Sequence, residues 1–167
     1  MARLSQPNIA ARISPCLWFD GDAEDAARFY VSLFPDSAIV HVHPNVVESR
    51  SGPAGSVLLV EFTLAGQRFL ALNGGQAMEY THAVSLSVEC ADQAEVDRLW
   101  AGLLADGGVA ECCGWLRDRW GLCWQIVPAV MPGLLTDADP ATAARVMEAM
   151  LAMTKLDIAA LERAAAG

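Results

Sequence analysis

His41 and His43 stand two apart in a β-branched run, the spacing that puts two imidazoles on one face of a strand and that a metal pair would use. No third ligand type stands near them and Pro44 follows, so they read as a solvated pair. His82 lies just before an apolar run and is the best candidate for a general base, because imidazole is the side chain that ordinarily titrates near neutral pH. Glu61 sits inside VLLVEFTL, where an acid on an apolar strand is unusual. Alternation puts Glu61 and Thr63 on one face and Val60, Phe62 and Leu64 on the other, so the carboxylate looks either into a binding site or into water. Arg117, Asp118 and Arg119 read as the charged, solvated tip of a hairpin, with the arginines able to greet an anion.

Five cysteines stand at 16, 90, 112, 113 and 123, an odd number that reads as reduced thiols packed as small hydrophobes. Cys112 and Cys113 have no second pair at zinc-ribbon spacing. As neighbours on a strand they would point to opposite faces, so no metal site is expected there. Trp18, Trp115 and Trp124 fall in strand-like runs, where their flat faces could wall a small organic molecule or fill a core.

The elements that must position these residues occur twice. Asp22 opens an acidic, alanine-rich helix carrying Arg28, Phe29, Tyr30 and Leu33; Asp92, 70 positions on, opens another carrying Arg98, Leu99, Trp100 and Leu103. Each follows an apolar strand, residues 13–19 and 84–89, and each helix start has the form of a capping box, Asp22 with Asp25 and Asp92 with Glu95. After the first helix come strands over 38–47, 57–64 and 68–73; after the second, strands over 109–116 and 122–128. Successive strands joined by short connections require a largely antiparallel sheet. Beyond Pro132 the pattern turns helical: Asp139 caps, Pro140 takes the first turn, Met147, Met150 and Met153 suit helix packing or a dimer contact, and Asp157 caps a last helix.

Composition bounds the function. A chain of 167 residues forms one compact domain, burying about 70% of its unfolded surface. Twenty acidic against eleven basic residues give a charge of −9, which repels phosphate backbones and argues against nucleic-acid or anionic-membrane partners. No apolar run reaches the roughly 18 residues of a membrane span, and MARLSQPNIAARISP lacks the apolar stretch of a secretory signal, so a cytoplasmic protein is expected.

The runs CLWFDGDAEDAARFYVSLFPDSAI, GQRFLALNGG and CGWLRDRWGLCWQIVP carry a family likeness. From Pro15 to about Ala165 the chain resembles the PhnB-like, 3-demethylubiquinone-9 3-methyltransferase-like branch of the vicinal oxygen chelate superfamily, which includes glyoxalase and bleomycin-resistance proteins. The resemblance implies an α+β fold of two βαβββ modules, over 13–75 and 82–130, curling into a mixed sheet with a cleft, plus a helical extension over 132–167 and pairing as a homodimer. Metal-dependent relatives hold their cation on the first and last strands of each module. By register those positions fall on Asn73 and Gln125, on Ser85, and on Pro15 or Cys16. Two amides and a hydroxyl supply no charge to replace a cation's hydration, so no metal and no cofactor is expected. The implied site is a metal-free cleft holding a small organic molecule between Asn73 and Gln125, with Ser85, Cys16, Trp18, Trp115 and Trp124 around it. The alternative is an enzyme of the superfamily, an isomerase, lyase, dioxygenase or transferase, with His82, Glu61 or Cys16 as its titratable group. The methyltransferase label finds no glycine-rich turn after the first strand, where only Gly21 stands.

Overall fold

The structure is a computed structural model that describes residues 13–137 and 139–167. The chain divides into two compact units, Met1–Met78 and Glu79–Gly167. The first runs β1 (Cys16–Phe19), α1 (Ala23–Leu33), β2 (Ala38–Pro44), β3 (Val57–Leu64) and β4 (Gln67–Asn73). The second begins β5 (Leu86–Cys90), α2 (Gln93–Leu104), β6 (Val109–Ala110), β7 (Trp115–Arg117) and β8 (Cys123–Pro128). Its tail adds a π-helical turn, Gly133–Asp137, then α3 (Pro140–Leu151) and α4 (Ile158–Ala166).

The two units share one topology. The strand order is β1-β4-β3-β2 in the first sheet and β5-β8-β7-β6 in the second. In each, the strand before the helix pairs in parallel with the last strand, and the other neighbours are antiparallel. This duplicated βαβββ arrangement is the one the resemblance implies, with both sheets left open. The strand hardest to see in the second half is β6, which is only two residues long.

Each helix covers one face of its sheet. Val60, Phe62, Leu64, Phe69, Ala71, Leu17 and Phe19 are buried with Ala23, Ala26, Ala27 and Tyr30 of α1, and the Phe62 ring stacks on Phe69 at 5.6 Å. In the second unit Leu116, Trp124 and Ile126 are buried with Val96, Leu99, Trp100 and Leu103 of α2. Period-2 alternation then leaves Trp18, Leu59, Glu61, Leu70 and Leu72 on the uncovered face of the first sheet. Trp115, Arg117 and Gln125 take the corresponding face of the second.

The helix starts differ in how they are held. Asp92 accepts from Glu95 N at 2.8 Å while Glu95 reaches back to Ala91 N at 2.9 Å, and Asp139 and Asp157 cap α3 and α4 as their spacing predicts. Asp22 caps nothing with its side chain. That role passes to a remote amide: Asn73 Oδ1 accepts from Gly21 N and Ala23 N, each at 3.0 Å.

Two further expectations change. The strand expected over 109–116 is broken, because residues 111–114 form a turn in which Cys113 and Gly114 take φ of 59° and 81°. The hairpin tip Arg117, Asp118 and Arg119 is not simply solvated. Asp118 is 2% exposed and accepts from Trp120 N, Leu122 N and Trp124 Nε1, fixing the turn from within. Arg119 pairs with Asp106 at 2.9 Å and lies over the Trp120 ring.

Met131, Val146, Leu156 and Leu161 form a separate apolar cluster with Val127, Met150 and Met153 against it. Gln93 ties this tail to α2, donating to Leu156 O and accepting from Ile158 N. No helix among the described residues is long and apolar enough to cross a membrane.

Candidate functional site

On the uncovered face of the second sheet, Trp115 of β7 and Gln125 of β8 are directly paired across the ladder, and both are half-buried. Gln125 donates from Nε2 to Ser85 Oγ at 2.8 Å, which orients the amide and leaves its oxygen free of any hydrogen bond from the described residues. Beside them Glu111 is gripped from two sides: His82 Nε2 lies 2.6 Å from Oε2, and Arg117 Nε donates to Oε1 at 2.8 Å. The His82 bond first, and Arg117 after it, hold the Glu111 carboxyl below its usual range in spite of partial desolvation. The His82 ring centre is 5.8 Å from that of Trp115. Ring, amide, hydroxyl and an ionised carboxylate with its partners thus share one neighbourhood.

The uncovered face of the first sheet carries a second cluster of the same side-chain types. Glu61 lies 2.8 Å from His43 Nε2 and accepts from Arg68 at 2.6 Å, and these two bonds, His43 foremost, depress its pKa. His41 and His43 do share a face, with ring centres 4.2 Å apart. Trp18 donates from Nε1 to Gln76 O at 2.8 Å, and its ring lies over Gly74, where an added Cβ would sit 1.8 Å from Cζ2. Cys16 is exposed on the same face, yet desolvation raises its thiol pKa, which keeps it protonated and a poor nucleophile at neutral pH.

Two of the expected ligand-binding residues are occupied elsewhere. Asn73 is 4% exposed and on the helix-covered face, accepting from two backbone groups at the start of α1 and donating from Nδ2 to Val57 O at 2.9 Å. It is therefore not the counterpart of Gln125: Leu70 and Leu72 are the β4 residues whose side chains share a face with Trp18. A register error of one residue moves a side chain to the opposite face. Trp124 is 1% exposed in the core beneath α2, its indole N–H bonded to Asp118 Oδ2 at 2.9 Å. Gln125, Ser85, Trp115, Trp18 and Cys16 do stand on, or at the edge of, an uncovered face.

Sequence reasoning passed over Glu111, Arg68 and the pairing of Arg117. Glu111 sits in a turn with no local pattern, and its partners come from positions 29 residues earlier and 6 later, so only strand pairing reveals the cluster.

The donors at the positions where the resemblance implies a cation in metal-dependent proteins do not suit one: Gln125 and Ser85 are neutral and Asn73 is turned into the helix-covered face. Among the described residues no group of three or more His, Cys, Asp or Glu side chains is arranged to hold a metal ion. Two concavities lie off both uncovered faces. One of about 380 Å³ is bounded by Gly21, Glu24, Gly52 and Asn73, and one of about 430 Å³ by Asp92, Val130, Asp157 and Glu162. Asn73 in the first wall, and Asp92 and Asp157 in the second, each hold the start of a helix.

Residues 11–127 match the 3-demethylubiquinone-9 3-methyltransferase family. The chain belongs to that family. A PhnB protein from Bacillus cereus is 33% identical, with 71% of this chain and 99% of that one covered and a TM-score of 0.64. A protein from Pseudomonas aeruginosa is 20% identical over 70% of this chain and 96% of that one, with a TM-score of 0.56. A glyoxalase/bleomycin resistance protein from Albidiferax ferrireducens T118 is a more distant neighbour at 16% identity, 69% and 95% coverage and a TM-score of 0.44. No curated protein matches the chain.

Proposed function

We propose that the protein binds a small organic molecule, without a metal ion, on the uncovered face of its second sheet. The observation that carries this reading is the Gln125 amide, oriented by Ser85 and paired with Trp115 on a half-buried surface, with no hydrogen bond to its oxygen from the described residues. A flat ring can lie against the indole while one donor meets the amide oxygen, the usual mix of apolar wall and few fixed polar groups. Glu111 is held ionised by His82 and Arg117, and the Arg117 cation balances its charge, so the cluster adds no net negative charge to the site. The overall charge of −9 favours neutral or cationic ligands over anions.

The family's description names a methyltransferase. The common route for S-adenosylmethionine needs a doubly wound parallel sheet with a glycine-rich turn, whereas both sheets here are four-stranded and mixed. The fold gives that activity no support by this route. A catalytic reading rests on one contact, His82 to Glu111 at 2.6 Å, the arrangement in which a carboxylate orients an imidazole as general base. Both readings place the protein in the cytoplasm as a homodimer, with Met147 and Leu151, exposed four residues apart on α3, as an apolar contact.

A thermal-shift screen of neutral and cationic ring compounds, followed by calorimetry on the best binder, tests the proposal. Gln125→Ala and Trp115→Ala are each expected to weaken binding about tenfold or more, the loss of one buried hydrogen bond or one aromatic contact. Unchanged affinity in both variants would remove the site. Turnover of the bound compound that disappears in His82→Ala would establish the catalytic reading in place of simple binding.

A further inference from the structure

Glu111 and Trp115 flank one short turn, so whatever fixes that turn fixes the carboxylate and the indole of the second sheet relative to each other. The turn closes on itself through Glu111 N to Trp115 O at 2.9 Å and Trp115 N to Cys112 O at 3.1 Å. Its two central residues, Cys113 and Gly114, have φ of 59° and 81°, and for a cysteine that left-handed conformation is unfavourable by itself. It persists only where its surroundings hold it. On one side the hold comes from β8, where Ile126 N donates to Gly114 O at 2.8 Å. On the other it comes from the connection between α3 and α4: Cys113 N donates to Met153 O and Gly114 N to Thr154 O, each at 2.8 Å.

That connection, residues 152–157, is anchored in its turn. Leu156 is 1% exposed and lies against Gly114, where an added Cβ would sit 3.0 Å from Leu156 Cδ1. Gln93 of α2 donates from Nε2 to Leu156 O at 3.2 Å and accepts from Ile158 N at 2.8 Å. Lys155 pairs with Asp97, one turn further along the same helix. The start of α2 is itself fixed by the reciprocal bonds of Asp92 and Glu95. A continuous chain of contacts therefore runs from Gln93 through Leu156 and the backbone of Met153 and Thr154 to the turn between Glu111 and Trp115.

We propose that residues 152–157 act as a strap that sets the geometry of the ligand site, with Gln93 and Leu156 as positioning residues, a role that rests on the ligand-binding reading of that site. Contact residues are only as well fixed as the groups behind them. Releasing the strap frees Cys113 to leave its left-handed conformation, so Glu111 moves off His82 and Arg117, and Trp115 loses its alignment with Gln125. The tail thus serves recognition as well as covering its own apolar cluster. By linkage, a ring compound bound against Trp115 tightens the strap as much as the strap favours the compound.

The test compares Gln93→Ala and Leu156→Ala with Arg145→Ala in the full-length protein. Arg145 bonds Ala164 O and Ala165 O, so its loss loosens the end of α4 rather than the strap. Two readouts need no ligand: amide exchange by NMR, and the His82 ring resonance, which senses the Trp115 ring 5.8 Å away. Both strap variants should speed exchange of the Glu111 and Trp115 amides about tenfold and shift the His82 resonance. Arg145→Ala should lower Tm and leave both readouts as they were. Benzimidazole, a flat ring with one N–H donor, reads binding: its affinity should fall about fivefold in Gln93→Ala and hold in Arg145→Ala, and at saturation it should slow exchange of the Cys113 and Gly114 amides. Unchanged exchange and His82 resonance in Gln93→Ala, or equal changes in Arg145→Ala, would overturn the strap, and Gln93→Ala decides alone if Leu156→Ala folds poorly. Failure of the ligand site shows separately, as benzimidazole that does not bind or that ignores Trp115→Ala and Gln125→Ala, and the exchange result then still judges the strap.

Discussion

Asn73 shows how one amide can be fully engaged in architecture. It accepts from Gly21 N and Ala23 N, where Asp22 contributes no side-chain cap, and it donates to Val57 O, tying the start of α1 to β3. Asn73→Ala leaves two backbone donors and one acceptor unsatisfied and should destabilise the protein by about 2 kcal/mol, read as a lowered Tm. Asn73→Asp keeps the acceptor at a helix N-terminus and loses only the donor, so its loss should be clearly smaller. Equal losses would contradict this division of roles. Gly74 is constrained in another way. A Cβ there would overlap the Trp18 ring, so Gly74→Ala must displace the indole and break its bond to Gln76 O, an overpacking loss of about 1–3 kcal/mol. Asp118 accepts three bonds at a buried position, and Asp118→Ala should destabilise the protein more than either change, by about 3 kcal/mol or more and read as a lower Tm, since it strands the Trp124 indole N–H and two backbone donors.

At the scale of elements, the two His–Glu–Arg clusters give stability a pH dependence. Glu61 and Glu111 both have folded-state pKa values below those of the unfolded chain, the first from His43 and then Arg68, the second from His82 and then Arg117. Their contribution is therefore complete above the ordinary glutamate range near 4.3 and is lost as pH falls through the depressed values. Tm measured from about pH 7 to 3 should hold steady and then drop, and Glu61→Gln with Glu111→Gln should flatten that acid limb. An acid limb of unchanged steepness in the double variant would show that these carboxylates carry no such linkage. The repeat of strand, helix and strands was legible because Asp22 and Asp92 open helices with matched apolar stripes, and because Val60, Phe62 and Leu64 alternate against Glu61. The turn at 111–114 was not, since Cys113 is not a residue that announces positive φ. Nor was the face of Asn73, because LALNGG gives the strand but not the residue at which its alternation begins.

For the molecule as a whole, two units built alike are used unlike. The first binds its own loops: Asn45 is buried, donates to Ser56 Oγ at 2.9 Å and accepts from Ser49, holding the segment between β2 and β3. The second carries the tail, clustered on Met131, Val146, Leu156 and Leu161 and fastened to α2 through Gln93. Gln93→Ala should loosen that tail and expose the Ile158 amide to exchange, with little effect on exchange in β3 and β4. The neutral donors Gln125 and Ser85 set the expected chemistry of the site, recognition without a cation. Calorimetry with the best small-molecule binder, run on protein stripped by a chelator and again with added zinc, nickel or manganese, tests that most directly. The account predicts the same affinity in every case and about tenfold weaker binding by Gln125→Ala. Binding that appears only when a divalent ion is supplied, or that survives the loss of Gln125, would contradict it.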